Sequence, residues 1–141
     1  LEAIENLIQD CWDQVAVKVG ERSDRKISIL DLPEVERDLY LIADLVAITC
    51  NAGMLTWIHY HHDEEGWISS ACSAFKRIGF ADVSVCLVRC LEFYRENDPD
   101  SLSHEDDDVE TTYVCDHEEQ IYRALYCHVR RRGHLSEGAG D

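Results

Sequence analysis

The chain has 141 residues, 45% of them apolar, and a formal net charge of −16 at pH 7 from 29 acidic and 13 basic residues. That length and composition fit one globular domain with a core of its own rather than a disordered chain. The acidity excludes direct nucleic-acid binding, which needs a basic face, and no apolar run approaches the ~18 residues of a membrane span.

Residues 3–18 are expected to form an amphipathic helix, with Ile4, Leu7, Ile8, Cys11, Trp12 and Val15 at i, i+3, i+4 spacing and Glu2, Glu5, Asp10 and Asp13 on the other faces. Gly20 to Lys26 breaks the pattern. Ile27 to Leu30 is a short apolar stretch of undetermined type. Asp31 and Pro33 read as a helix start, a capping carboxylate followed by a proline in the first turn. From Leu39 to Cys50 only Asp44 is charged, so this second helix should be surrounded by others. Asn51-Ala52-Gly53 interrupts it, and Met54 to His61 then forms a short helix with Leu55, Trp57 and Ile58 inward.

Asp63 to Gly66 reads as a turn. Trp67 to Ile78 is a helix with Trp67, Ala71, Ala74, Phe75 and Ile78 on one stripe, closed by Gly79. Asp82 should cap a further helix, Val83 to Arg95, in which Val83, Val85, Cys86, Leu87, Val88, Cys90 and Leu91 leave only Arg89 charged. A lone buried charge is costly, so Asp44 and Arg89 are expected to pair. Residues 97–103 form a loop holding Pro99. Residues 105–114 form a short acidic helix around Val109, Tyr113 and Val114. The last helix, 118–132, turns Ile121, Leu125, Val129 and either Cys127 or His128 inward, and Arg130, Arg131 and Arg132 complement its dipole. No alternating pattern supports a sheet. The expected architecture is all-α, a compact single-domain bundle of about six helices over residues 1–132, with a flexible tail at 133–141.

The most informative segment is 96–119, which carries eleven of the 29 carboxylates and none of the 13 basic residues. Self-repulsion opposes such a concentration, so a use is expected: a cation site, a basic partner, solubility, or imitation of a polyanion. A calcium loop is excluded, because oxygens do not alternate at the required positions and no glycine makes the sharp turn. His59 and His62 share a helix face but lack the His-Glu-x-x-His pattern, so no metal site is assigned. No nucleophile elbow, Cys–His context or phosphate-binding glycine loop is present, so no catalytic residue, cofactor or enzymatic activity is assigned. The seven cysteines include no Cys-x-x-Cys. They read as reduced, mostly buried thiols in a cytoplasmic protein, and no leader pattern argues for export.

The middle of the chain resembles a known family. Cys50-Asn51-Ala52-Gly53-Met54-Leu55-Thr56-Trp57-Ile58 is similar to its "Asn-Gly-Gly-Phe-x-Gln-Tyr-Phe" signature, with Ala52, Met54, Thr56 and Ile58 as departures. Ala74 to Phe80 resembles its "Ala-Leu-x-x-Ile-Gly-Ala", and Leu125 to Arg130 its closing "Leu-x-x-Tyr-Ile-Arg". This is the DMP19-like group of bacterial proteins, named for a DNA mimic, and the similarity spans about residues 35–132. The signature itself reads as a helix break and repacking. The resemblance implies an acidic, dimeric, all-helical protein whose carboxylates stand in for DNA phosphates and occupy the DNA-binding surface of a repressor.

Carboxylates three or four apart on a helix lie about 5–6 Å from each other, and duplex DNA presents one charge per ~1.7 Å of axis, so adjacent acidic ridges approximate phosphate rows. The candidate partner-binding residues are Glu2, Glu5, Asp13, Glu105, Asp106, Asp107, Asp108, Glu110, Asp116, Glu118 and Glu119. The expected partner is a basic, DNA-binding protein, with no direct nucleic acid and no membrane. The alternatives are an immunity-type protein that neutralises a basic toxin, an acidic soluble domain whose charge serves solubility, and a metal-dependent hydrolase built on the histidines. Ile27, Ile29 or Leu30 could serve a homodimer.

Overall fold

The computed structural model describes residues 2–23, 29–64 and 66–131. Among these, seven α-helices follow one another: α1 (Glu2–Ser23), α2 (Glu34–Ala52), α3 (Met54–His61), α4 (Trp67–Arg77), α5 (Ala81–Glu96), α6 (Asp108–Asp116) and α7 (Glu118–Arg131). Short 3₁₀ turns at Ile29–Asp31, Pro99–Ser101 and His104–Asp107 join them. The fold is all-α, with no strand among the described residues. The tail expected at 133–141 lies outside them.

The axis of the bundle is α2, which packs against α1, α3, α4, α6 and α7. Its sequence from Leu39 to Cys50, where only Asp44 is charged, explains this, because Leu39, Leu41, Ile42, Leu45 and Val46 point to different sides and all are buried, and burying each contributes about 1.5–3 kcal/mol. Around it close Trp57 and Ile58 of α3, Phe75 of α4, Leu87 of α5, Val114 of α6 and Ile121 and Leu125 of α7, every one of them without solvent exposure.

Helix ends follow local chemistry only in part. Gly79, at φ 89°, closes α4. There the Phe80 N–H donates to the Phe75 carbonyl at 2.8 Å and the Gly79 N–H to Lys76 at 3.1 Å, the double bond of a Schellman end. Asp31 does not cap α2; it sits in the preceding 3₁₀ turn, and Pro33 is the N-cap residue. Asp82 does not cap α5 either, since Phe80 takes that place and the Asp82 carboxylate accepts the Tyr113 hydroxyl at 3.1 Å.

Four apolar assignments are corrected as well. Val85 and Val88 of α5 are each 47% exposed, and Val109 of α6 is 73% exposed, because α5 and α6 are covered on one side only. Leu7 of α1 also faces outward. Of the apolar stretch offered for a dimer, Ile29 is buried, Leu30 is exposed, and Ile27 lies outside the described residues. At the end of α7 the alternatives separate: His128 is inward and Cys127 exposed.

Of the charged residues on α2, Glu34 near its start is exposed, while Asp38 and Asp44 are matched inside the bundle. Asp38 has no solvent exposure. Its two oxygens accept from Arg77 of α4, at 2.8 Å from Nε and 2.6 Å from Nη2, and one of them faces His128 Nε2 of α7 at 3.0 Å. The paired, fork-on-carboxylate geometry is the arrangement in which arginine compensates a desolvated acid.

Asp44 does not pair with Arg89, whose side chain is exposed. It accepts the Trp57 indole N–H at 3.0 Å and lies 3.3 Å from His61 Nε2, while His61 Nδ1 lies 2.8 Å from Glu64. Burial works against the charged form of His61, but the hydrogen bonds and charges of Asp44 and Glu64 outweigh it and raise its pKa. The ring also stacks on Trp67 at 4.0 Å and 7°, a placement that suits an imidazolium.

Two outcomes follow from these internal charges. Asp38→Asn should lower the unfolding free energy in urea by about 3 kcal/mol, because the Arg77 guanidinium loses its counter-charge and His128 Nε2 its carboxylate partner; a loss within experimental error would contradict the pairing. A histidine whose folded pKa is raised contributes stability fully below its unfolded value of about 6.5 and loses it as pH rises through the folded value. The Tm advantage of the wild type over His61→Phe should therefore be greatest below about pH 6.5 and shrink as pH rises above it, and an advantage that stays constant as pH rises counts against it.

Candidate partner-binding surface

The acidic segment starts at the last residue of α5 and the 3₁₀ turn Pro99–Ser101, and from His104 on it folds as the 3₁₀ turn His104–Asp107, all of α6 and the first turn of α7. Glu105, Asp106, Asp108, Asp116 and Glu119 are exposed, while Glu110 and Glu118 are half-buried. Asp106 is partly engaged, accepting the Ser103 N–H at 2.8 Å as the far member of a capping box. Glu119 lies 3.4 Å from Arg123 one turn on, a surface pair of small energetic weight. Glu110 faces the buried Cys90, 3.8 Å from its Sγ. That leaves Glu105, Asp108 and Asp116 as exposed members whose geometry ties them least to the fold.

Among the α1 carboxylates, Glu5 is brought beside Glu118 by the packing of α1 against α7. Glu5 and Glu118 line one cleft of about 390 Å³ between α1, α2 and α7, together with Asp44, Trp12 and Tyr122. The negative potential there is visible on Tyr122, whose pKa is pushed up to about 12 by burial and then by Glu118, Cys50 and Glu5. Tyr40, stacked on Trp12 at 5.2 Å, is likewise pushed up to about 12 by burial, Asp44 and Glu64. A cleft with aromatic walls and carboxylates at its rim has the chemistry to hold a cationic side chain. Asp13 is exposed beyond it on α1 and accepts the Gln9 amide at 2.9 Å. The Glu2 side chain is outside what the structure describes.

Asp107 is withdrawn from this surface. It is 5% exposed. It stands at the N-cap position of α6, yet its side chain does not cap that helix. Oδ2 instead accepts the Leu55 N–H at 2.9 Å, and Thr111 Oγ1 accepts the Met54 N–H at 3.1 Å. The first orphan N–H groups of α3 are thus satisfied by side chains 52 and 57 residues away, and the carboxylate also meets the positive end of the helix.

Gly53 makes this contact possible. Its φ of 98° and ψ of 154° fall in a region open essentially to glycine, and a Cβ there would stand 2.6 Å from Asp107 Oδ2. The glycine of the signature is therefore required both by the helix break and by the incoming carboxylate. Sequence reasoning missed this role for Asp107, and nothing local distinguishes it from Asp106 and Asp108.

The histidines are arranged differently from a metal site. His59 Nδ1 lies 2.8 Å from the Tyr94 hydroxyl, and His62 Nδ1 lies 2.9 Å from the His59 carbonyl. Their rings stack with centroids 6.1 Å apart. Among the described residues no three His, Cys, Asp or Glu side chains converge in a way that could hold a metal ion, and no helix is long and apolar enough to cross a membrane.

An all-helical bundle with an apolar central helix and an acid-rich flank is the class that these features define. The family model described as "DMP19-like protein" matches residues 30–130, and the chain belongs to that family. No curated protein and no solved structure matches it.

The division of labour among adjacent carboxylates can be measured. Asp107→Ala should cost about 1–3 kcal/mol of stability by leaving a buried N–H unpaired, whereas Asp108→Ala should change it by less than about 0.5 kcal/mol. Gly53→Ala should cost about 1–3 kcal/mol or more from backbone conformation alone. Equal effects at 107 and 108 in urea denaturation would refute the capping role.

Proposed function

We propose that the protein is a non-enzymatic acidic binding protein that occupies the DNA-binding surface of a basic protein, such as a transcriptional repressor, in the manner of a DNA mimic. The observation that carries this reading is the exposure of Glu105, Asp108 and Asp116 on a segment that contains no lysine or arginine, in a chain of the DMP19-like family. Such a surface attracts a basic partner over a Debye length and excludes nucleic acid by like charge. The cleft bearing Glu5, Asp44 and Glu118 gives a basic side chain of the partner an aromatic seat beside the acidic strip.

The reading is tested by capture of a basic partner from the native host, repeated with excess duplex DNA. Mimicry requires DNA to displace the partner, whereas a toxin–immunity pair would resist displacement. With the partner in hand, Glu105→Gln, Asp108→Asn and Asp116→Asn combined should weaken binding about ten-fold or more at ~50 mM salt and much less at ~0.5 M. These three positions spare Asp107, so the fold is preserved. Unchanged affinity at low salt would reduce the strip to solubilising charge.

A further inference from the structure

Cys50, in the last turn of α2, and Cys115, near the end of α6, are 65 residues apart in sequence, and their Sγ atoms stand 2.6 Å from each other. Unbonded heavy atoms rest at about 3.5–4.0 Å even when they are carbons, and a disulfide measures about 2.04 Å. The two sulfurs are thus nearer to a bond than to an ordinary contact, and they are brought there by the packing of α2 against α6. Cys50 is exposed and Cys115 half-buried, so one of the pair is open to a reagent and the other sits behind it.

We propose that Cys50 and Cys115 are an oxidative modification site, a dithiol that a low-molecular-weight disulfide such as oxidised glutathione converts to an intramolecular disulfide joining α2 to α6. In the first step Cys50 gives its proton to solvent and its Sγ attacks one sulfur of the oxidant. The oxidant's S–S bond breaks, and the released thiolate takes up a proton. In the second step Cys115 loses its proton, and its Sγ attacks Cys50 Sγ and expels the second small thiolate. Both cysteine sulfurs are oxidised and the oxidant is reduced to two thiols.

Burial, Cys115 and Glu118 all raise the Cys50 pKa, which lowers its thiolate fraction at neutral pH and slows the first exchange step. Cys86 and Cys90 are buried and lie on one helix, and Cys127 is exposed on α7. The bond closes a loop that contains α3, α4 and α5. It would fix the acidic α6 to the central helix at its C-terminal end, opposite the end where Asp107 is fastened to α3. The site is independent of whether the acidic strip binds a partner.

The full chain is incubated with oxidised glutathione, alkylated after denaturation, digested and analysed by mass spectrometry. The expected product is a Cys50–Cys115 linked peptide with no glutathione retained on either residue, and a Tm raised by about 10 °C that dithiothreitol reverses. Cys115→Ser should trap glutathione on Cys50 and abolish the Tm rise, and Cys115→Ala serves the same purpose if the serine disturbs packing. Glutathione retained on wild-type Cys50, a bond between two chains, or a bond to another cysteine would overturn the proposal.

Discussion

Asp38 sits without solvent exposure between Arg77 of α4 and His128 of α7, and the rest of the bundle is arranged around the need to keep it paired. The helix that carries it is enclosed by five others, so no rotation could return the carboxylate to water. An uncompensated charge there would cost several kcal/mol, which makes the docking of α4 and α7 conditional on each other. The same constraint recurs at Asp44, which holds Trp57 and His61 of α3. Apolar burial supplies the driving force for assembly, but it is not directional. These polar ties give α3, α4 and α7 their register along α2.

Asp107 extends that logic into the acidic segment. One carboxylate of a run of four acids is buried to cap α3, and its neighbours remain on the surface. The segment is therefore fastened to the core at Asp107 and Thr111 and is not a free tail. An interaction surface built on α6 inherits this rigidity, so its carboxylates are presented at fixed positions with little ordering entropy to lose on binding. Gly53 and Asp107 form one unit, and a change at either disturbs both the helix break and the placement of the acidic strip.

Legibility from sequence varied with the range of the interaction. The helical segments, the Gly79 terminator, the stripe on α4 and the break at Gly53 follow from spacing of three to four residues and from glycine's tolerance of positive φ, which are properties of adjacent residues, whereas seven helices stand among the described residues where about six were expected. The outward turn of Val85, Val88 and Val109 was not legible, because an apolar residue on a helix covered on one side looks the same in sequence as one on an enclosed helix. Asp31 and Asp82 carry capping chemistry yet are not the N-cap residues of α2 and α5, since the backbone begins those helices at Pro33 and Phe80. For the candidate surface, composition identified the segment, while the separation of Asp107 from Asp106 and Asp108 depended on a hydrogen bond spanning 52 residues.

The sequence by itself determined an all-helical, strongly acidic chain with a second helix nearly uncharged from Leu39 to Cys50 and a family-like break after it, because charge count, periodicity and local backbone preference are written in short stretches of residues. Only the tertiary structure decided which charges are spent inside the fold and which face solvent: Asp38 to Arg77 and His128, Asp44 to Trp57 and His61, Asp107 to the start of α3, and Cys50 to Cys115. The Asp38, Asp107 and Cys50 partnerships span 39 to 90 residues of sequence, that of Asp44 crosses the break between α2 and α3, and a carboxylate or thiol carries no local mark of the partner that packing will bring to it.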